Sequence, residues 1–300
     1  MKLKILSAGK IESGTKELPK QFNEDIRPDL IKKAVLVIQS NNRQPYGSDP
    51  EAGKRASVRL SKKRNDYRGM YGHGISRIPR KIMSRRGTRL NWTGAFAPGT
   101  VGGRRAHPPK AIKIWDQKIN KKERRKAIRS AISATIAKPV VEGRGHKAPE
   151  AYPFIVETKI QDLKSTKDVK KALTMLGFKE ELARTSERSI RAGKGKSRGR
   201  KYKTKVGPLI VVSNECILQK TAANIPGVDI IEVQNLNAEL LAPGTIPGRL
   251  TLWTAEAIER LEKERLFMND YKAPKEEVKE EKPIEKPKKE KKPKKKVVKK

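Results

Sequence analysis

The chain has 300 residues, enough for one sizeable core or two smaller ones, and its formal net charge of +38 lies far outside the ordinary globular range. Self-repulsion on that scale calls for a polyanionic partner, nucleic acid before an anionic membrane, and the longest strictly apolar run, Ala34 to Ile38, is too short to span a bilayer. One cysteine, Cys216, excludes an intramolecular disulfide and fits a reducing cytosol, the first residues lack an apolar stretch of signal-peptide length, and 5% aromatic content favours backbone and shape recognition over base stacking.

Met1 to Leu6 alternates and reads as a short strand, followed by a turn-rich stretch, Ser7 to Asp25. Pro28 suits a first helical position. With Asp29 behind it and Leu30, Ile31, Ala34, Val35, Val37 and Ile38 at three- and four-residue spacing, a core helix is expected to about Ser40. From Arg43 to Lys110 this regularity stops. The stretch carries seventeen Lys or Arg residues against three acids, Asp49, Glu51 and Asp66, with glycines throughout and large apolar residues scattered singly. No window holds a helical or alternating period for long, so the segment cannot bury enough surface to offset the entropy of ordering itself. A loop this long in a compact domain is expected where something outside the chain orders it.

Asn120 as N-cap and Glu123 three residues on open a helix from Lys121 to Ala137, ended by Pro139. Its apolar stripe is Ala127, Ile128, Ala131, Ile132, Thr135 and Ile136. Its basic face (Arg124, Arg125, Arg129) is either merely solvated or phosphate-binding. Gly143 to Lys147 reads as a tight basic loop and Phe154 to Glu157 as a buried strand. Helices are expected from Ser165 to Leu176, with Gly177 as stop, and from Lys179 to about Ser189. A second basic run, Arg188 to Lys205, has nine positive residues and no acid. Beyond Pro208 come three strands, Leu209–Val212, Val228–Val233 and Arg249–Trp253, and three helical pieces, Cys216–Ala223, Asn237–Leu241 and Thr254 to about Leu266. This alternation predicts an α/β fold with a mostly parallel central sheet flanked by helices. The expected organisation is a globular α/β domain over 1–270, interrupted by a long extended basic internal loop at 44–110. A Lys/Glu/Pro tail at 271–300 cannot build a core and is expected to be disordered. That tail either brushes a polyanion without specificity or only solubilises.

No catalytic constellation survives inspection. Gly193, Gly195 and Gly199 are one residue too widely spaced for a dinucleotide fingerprint, and Ile190 stands where a Walker A loop needs glycine. His73, His107 and His146 lie far apart, and with one cysteine no metal-ligand spacing arises. Each histidine is assigned to phosphate, sugar or base instead. No cofactor is expected. What remains are the basic clusters, where arginine suits bidentate phosphate contacts and glycine allows close approach. The candidate contacts are Arg43, Lys54, Arg55, Arg59, Lys62, Lys63, Arg64, Arg68, Arg85, Arg86, Arg89, Arg104, Arg105, His107 and Lys110 in the long loop. Arg124, Arg125, Arg129, Arg144, His146 and Lys147 follow, then Arg191, Lys194, Lys196, Arg198, Arg200, Lys201 and Lys203 in the second run.

The same stretches carry a family likeness. Arg27 to Ala34, Pro45 to Asp49, Gly72 to Arg80, Arg105 to Lys110, Asn120 to Arg124, Arg191 to Tyr202 and Leu241 to Arg249 occur in the order seen in the family of the fourth large-subunit ribosomal protein. The chain resembles that family's archaeal and eukaryotic form over roughly Met1 to Asp270, departing from it at Lys81 to Gly103 and in the tail. The resemblance implies a structural, non-enzymatic role. It implies that the candidate contacts meet large-subunit ribosomal RNA, with neighbouring ribosomal proteins as further partners and no membrane involved. It also implies that the loop tip, near Tyr71 to Arg89, helps to form the constriction of the peptide exit tunnel. Tyr71, Gly72, His73, Gly74, Arg77 and Arg80 are then the residues expected near a nascent polypeptide. Two rival readings stay open: an RNA-modifying enzyme with basic arms, and a DNA-packaging protein. The second does not explain why the acid-poor loop interrupts a domain instead of extending from its end.

Overall fold

The computed structural model describes residues 1–58, 60, 63–66 and 69–270. Arg59, Lys62, Arg68 and the tail at 271–300 lie outside the described residues. Strand β1 (Lys2–Leu6) pairs antiparallel with β2 (Glu12–Glu17), Leu3 opposite Lys16. β2 falls inside the stretch read as turns, and the reason is plain: its sequence ESGTKE has no apolar residue to alternate, so the ladder alone defines this edge strand. Helix α1 spans Pro28–Asn41 and α2 spans Lys121–Ile136. Between them the long segment contains β3 (Arg80–Arg86) and β4 (Arg89–Gly94). Pro139 both stops α2 and starts α3 (Lys138–Gly143), because a missing N–H costs nothing in a first turn. This short helix was not expected from the sequence, and it ends at Gly143, where the basic loop was expected to begin.

The remainder runs β5 (Ile155–Val156), α4 (Thr166–Met175), α5 (Lys179–Ser186), β6 (Ser189–Ile190), β7 (Tyr202–Lys203), β8 (Leu209–Val212), α6 (Ile217–Ala222), β9 (Asp229–Glu232), α7 (Ala238–Leu241), β10 (Thr251–Thr254) and α8 (Ala255–Lys263). The main sheet has the order β2-β1-β5-β10-β8-β9 and is parallel except at β1–β2. The expected α/β class is borne out. β8 and β10 are buried at every residue, as continuous runs covered on both faces must be. Leu209, Val211 and Trp253 face α1, α2, α7 and α8. Ile210, Val212 and Leu252 face α3 to α6. Phe22 packs edge-on against Trp253, ring centroids 5.0 Å apart. Each such aliphatic side chain contributes about 1.5–3 kcal/mol by leaving water.

This core places the long segment. It leaves at the end of α1 and returns at the start of α2, and these helices pack on each other. Lys33 Nζ lies 2.8 Å from Glu123 Oε2, and the Arg27 N–H donates to Ser130 Oγ at 2.7 Å.

Candidate nucleic-acid interface

Where the segment meets the body, its two legs are clasped together. Ser40 Oγ donates to the Trp115 carbonyl at 2.6 Å, and Asn41 exchanges side-chain bonds with the Gln117 backbone at 2.8 and 3.3 Å. Tyr46 stacks on Trp115, and the guanidinium of Arg43 sits 3.7 Å from the Trp115 ring centroid. Beyond this neck the legs run so close that a Cβ on Gly47 would stand 2.3 Å from the Ala111 nitrogen, and Ser48 N–H donates to the Pro109 carbonyl. Only glycine fits there. Among the described residues, the backbone bonds defined for residues 48–110 join that segment to itself, save that the Lys113 N–H donates to the Lys110 carbonyl at 3.2 Å. The arm is held at its root and not along its length.

The arm is less featureless than its sequence. β3 and β4 form a hairpin with Ile82 opposite Trp92 and Arg86 opposite Arg89. The two-residue loop Gly87-Thr88 starts with a positive φ of 58°, the geometry of a type II′ turn, which puts glycine first. Beside the hairpin, Met70 and Ala95 are buried in a small knot of their own. Arg80 ties the 71–76 turn to this knot, donating to the Ser76 carbonyl at 2.7 Å and lying over the Trp92 ring. Arg77 leans on the Tyr71 ring, 4.3 Å from its centroid. The residues expected at a tip thus sit on two projections, the turn carrying Tyr71, Gly72, His73 and Gly74, and the Gly87-Thr88 loop flanked by Arg85, Arg86 and Arg89.

Most candidate contacts face solvent. Arg43, Lys54, Arg55, Lys63, Arg64, Arg77, Arg85, Arg86, Arg89, Arg105, His107 and Lys110 are exposed, with Arg80 and Arg104 half-buried. Arg55 pairs with Asp49, one of the arm's few acids. The second run is also a projection. β6 and β7 pair as a short ladder, and Lys194, Lys196, Arg198, Arg200, Lys201 and Lys203 are exposed around it, with Arg191 folded back onto the Arg200 carbonyl. On α2, Arg124 is exposed.

Four candidates are spent inside the body. Arg129 is only 7% exposed, its Nε donating to Glu24 Oε2 at 2.8 Å and its Nη1 to the Phe267 carbonyl at 2.7 Å. Arg125 binds the Met268 and Asn269 carbonyls. Arg144 donates to the Ile246 and Pro243 carbonyls, and burial, with Arg249 and Arg184 nearby, lowers it to about 10. His146, 6% exposed, has Nδ1 at 2.7 Å from Glu181 Oε1 instead of reaching outward. Its neighbour Lys147 stays exposed, while the Lys147 N–H reaches Glu181 Oε2 at 3.0 Å. Arg184 completes the cluster with bonds of 2.8 and 2.6 Å to Glu181 and one of 2.7 Å to the Val206 carbonyl, at the root of the second projection. Burial opposes the Glu181 charge, but these donors outweigh it and hold the carboxyl at about 2. Desolvation lowers His146 despite its partner, and Nδ1 also lies 3.2 Å from Arg184 Nη2.

Sequence reasoning missed Lys113, Tyr46 and Trp115 at the neck and the buried Arg249, which binds the Gly207 and Leu240 carbonyls and Asp229. Lys113 lies just past the segment's expected end. The others looked like ordinary singletons.

An α/β body with two acid-poor cationic projections, and with several of its acids engaged internally, defines a class: a protein built to be neutralised by a polyanion. The chain belongs to the ribosomal protein L4/L1 family, whose family model matches residues 16–264. It is 50% identical over 256 residues to the large ribosomal subunit protein uL4 of Nanoarchaeum equitans, covering 85% of this chain and 95% of that one. To the uL4 of Methanosphaera stadtmanae it is 46% identical over 248 residues, 82% and 90% of the two chains. To that of Archaeoglobus fulgidus it is 43% identical over 265 residues, 87% and 98% of the two. These relatives are ribosomal proteins, and the reading as an RNA-modifying enzyme falls with them.

Proposed function

We propose that the chain is a structural constituent of the large ribosomal subunit in the cytoplasm, where its two projections bind ribosomal RNA and help to fix the packing of RNA helices. The carrying observation is the arm itself: seventeen cations against three acids between Arg43 and Lys110, rooted by a clasp where its two legs meet the body. Such a charge density, exposed and unscreened by the body, is stabilised when phosphates replace water and counterions around it. The body over 1–270 acts as the anchor, the arm at 44–110 threads among RNA segments, and 271–300 is an appended tail. The exposed cations of both projections and Arg124 make the phosphate contacts, with neighbouring ribosomal proteins as further partners. The turn carrying Tyr71, Gly72, His73 and Gly74, with Arg77 and Arg80 behind it, lies by the exit tunnel and meets the nascent polypeptide. What supports the tunnel role is family membership and the distance in sequence of this turn from the neck.

The test is a salt titration of the full chain on a large-subunit RNA fragment. The log-log slope should be steep, about −0.7 to −0.9 for each phosphate neutralised, and a flat dependence refutes the reading. Deleting Tyr71 to Arg89 should spare subunit association while altering the tunnel. If subunit binding is lost altogether, the tip carries the main RNA contacts, contrary to this assignment.

A further inference from the structure

The arm's aromatic rings are not equivalent. Tyr71, Trp92 and Phe96 are each partly covered, with Arg77, Arg80 and Arg104 respectively over the ring. Tyr46 is 52% exposed, yet its ring is not loose: it lies against Trp115 with centroids 6.0 Å apart and planes within 16°. Tyr46 too has an arginine over its ring, Arg43 at 5.5 Å from the centroid, so what sets it apart is its exposure and its stacking on Trp115, whose own centroid lies 4.3 Å from Lys113 Nζ. The Trp115 indole N–H is shielded from solvent and has no acceptor among the described residues.

We propose that Tyr46 is a stacking platform for one unpaired nucleobase, with Arg43 and Lys113 meeting the phosphates beside it. This rests on the RNA reading above. One ring face is pinned by Trp115, so the tyrosine is oriented before the base arrives and little rotamer freedom is lost on binding. Any base offers a flat face to it, and a stacked base is worth roughly 5- to 150-fold in affinity. The occupant is a nucleotide and not an arginine or aromatic of a protein neighbour because of the surrounding charge. Arg43 already lays one guanidinium over both rings, Lys113 adds a second charge, and Asp49, the acid nearest Tyr46 in sequence, is paired with Arg55, so a further guanidinium is repelled and a phosphate attracted. The platform also answers the scarcity of aromatics: one well-held ring at the neck, where the legs converge, fixes register for contacts that are otherwise backbone-only.

The experiment compares the full chain with Tyr46→Leu and Tyr46→Phe on a large-subunit RNA transcript across a salt series. Leucine keeps apolar bulk against Trp115 but removes the ring. Affinity should fall roughly 5- to 150-fold with the salt slope unchanged, and Tyr46→Phe should restore it. Ultraviolet crosslinking of the reconstituted subunit should join Tyr46 to a base. Unchanged affinity in Tyr46→Leu overturns the platform. So does a loss with a shallower slope, which marks a slackened neck and lost phosphates, or a Tyr46 crosslink to protein. A flat salt slope in the unaltered chain instead overturns the RNA reading beneath it.

Discussion

Replacing Glu181 with glutamine keeps the side chain's shape and removes the charge on which Arg184, His146 and the Lys147 N–H converge. The carboxyl titrates at about 2 in the folded body against an ordinary 4.5. At 1.36 kcal/mol per unit, that depression corresponds to about 3 kcal/mol of stability at neutral pH. Because the folded value is the lower one, the contribution is complete above pH 4.5 and drains away as the pH falls toward 2. His146 adds to the same limb. Desolvation puts its folded value below 6.5, so the unfolded chain takes up the proton first and acidification below that point favours unfolding. Urea unfolding of the full chain at pH 7.5 should therefore show Glu181→Gln less stable by about 3 kcal/mol, the size expected when one partner of a buried ion pair is removed. Between pH 4.5 and 3 the variant's stability should fall less steeply than the wild type's. A variant within about 0.5 kcal/mol of wild type at pH 7.5, or with a parallel acid limb, would show that the cluster is not the electrostatic anchor described. Since Arg184 also grips the Val206 carbonyl, amide exchange in 188–206 should rise in the variant.

Gly47→Ala drives a methyl to 2.3 Å from the Ala111 nitrogen and must part the legs. RNA affinity should drop while thermal unfolding of the body holds within about 0.5 kcal/mol, and a destabilised body would mean the neck belongs to the core. Changing Arg85, Arg86 and Arg89 together to alanine should make the salt slope shallower by about 2 to 3, the loss of three phosphates; an unchanged slope places the hairpin away from RNA. Brief trypsin treatment of the free protein should cut within 44–110, since a lone two-stranded hairpin is marginal in water, and leave the body's fragments associated. Complete protection would show that the arm folds by itself.

The body was legible where its central strands are covered on both faces. Leu209–Val212 announces itself as an apolar run, and α1 shows its Pro28-Asp29 start and its spacing. The edge strand β2 was invisible because nothing in it is buried. The hairpin β3–β4 was obscured because its outward positions are Arg, Lys and Met, which dilute the alternation of Ile82, Leu90 and Trp92; the Gly87-Thr88 step was the signal to weigh. Arg129 and His146 read as outward cations because their partners, Glu24 and Glu181, are remote in sequence. Spacing along a helix tells which residues share a face, not what another segment lays over it.

The clasp between Ser40–Tyr46 and Trp115–Gln117 has a consequence for variation. Closing a loop costs only slowly more as it lengthens, about 0.6 kcal/mol per doubling. With the ends already gathered by the packing of α1 on α2, residues can be gained or lost beyond the neck with little effect on the sheet. Span and tip can therefore be retuned to whatever the surrounding particle demands, while the point and angle of departure stay the same.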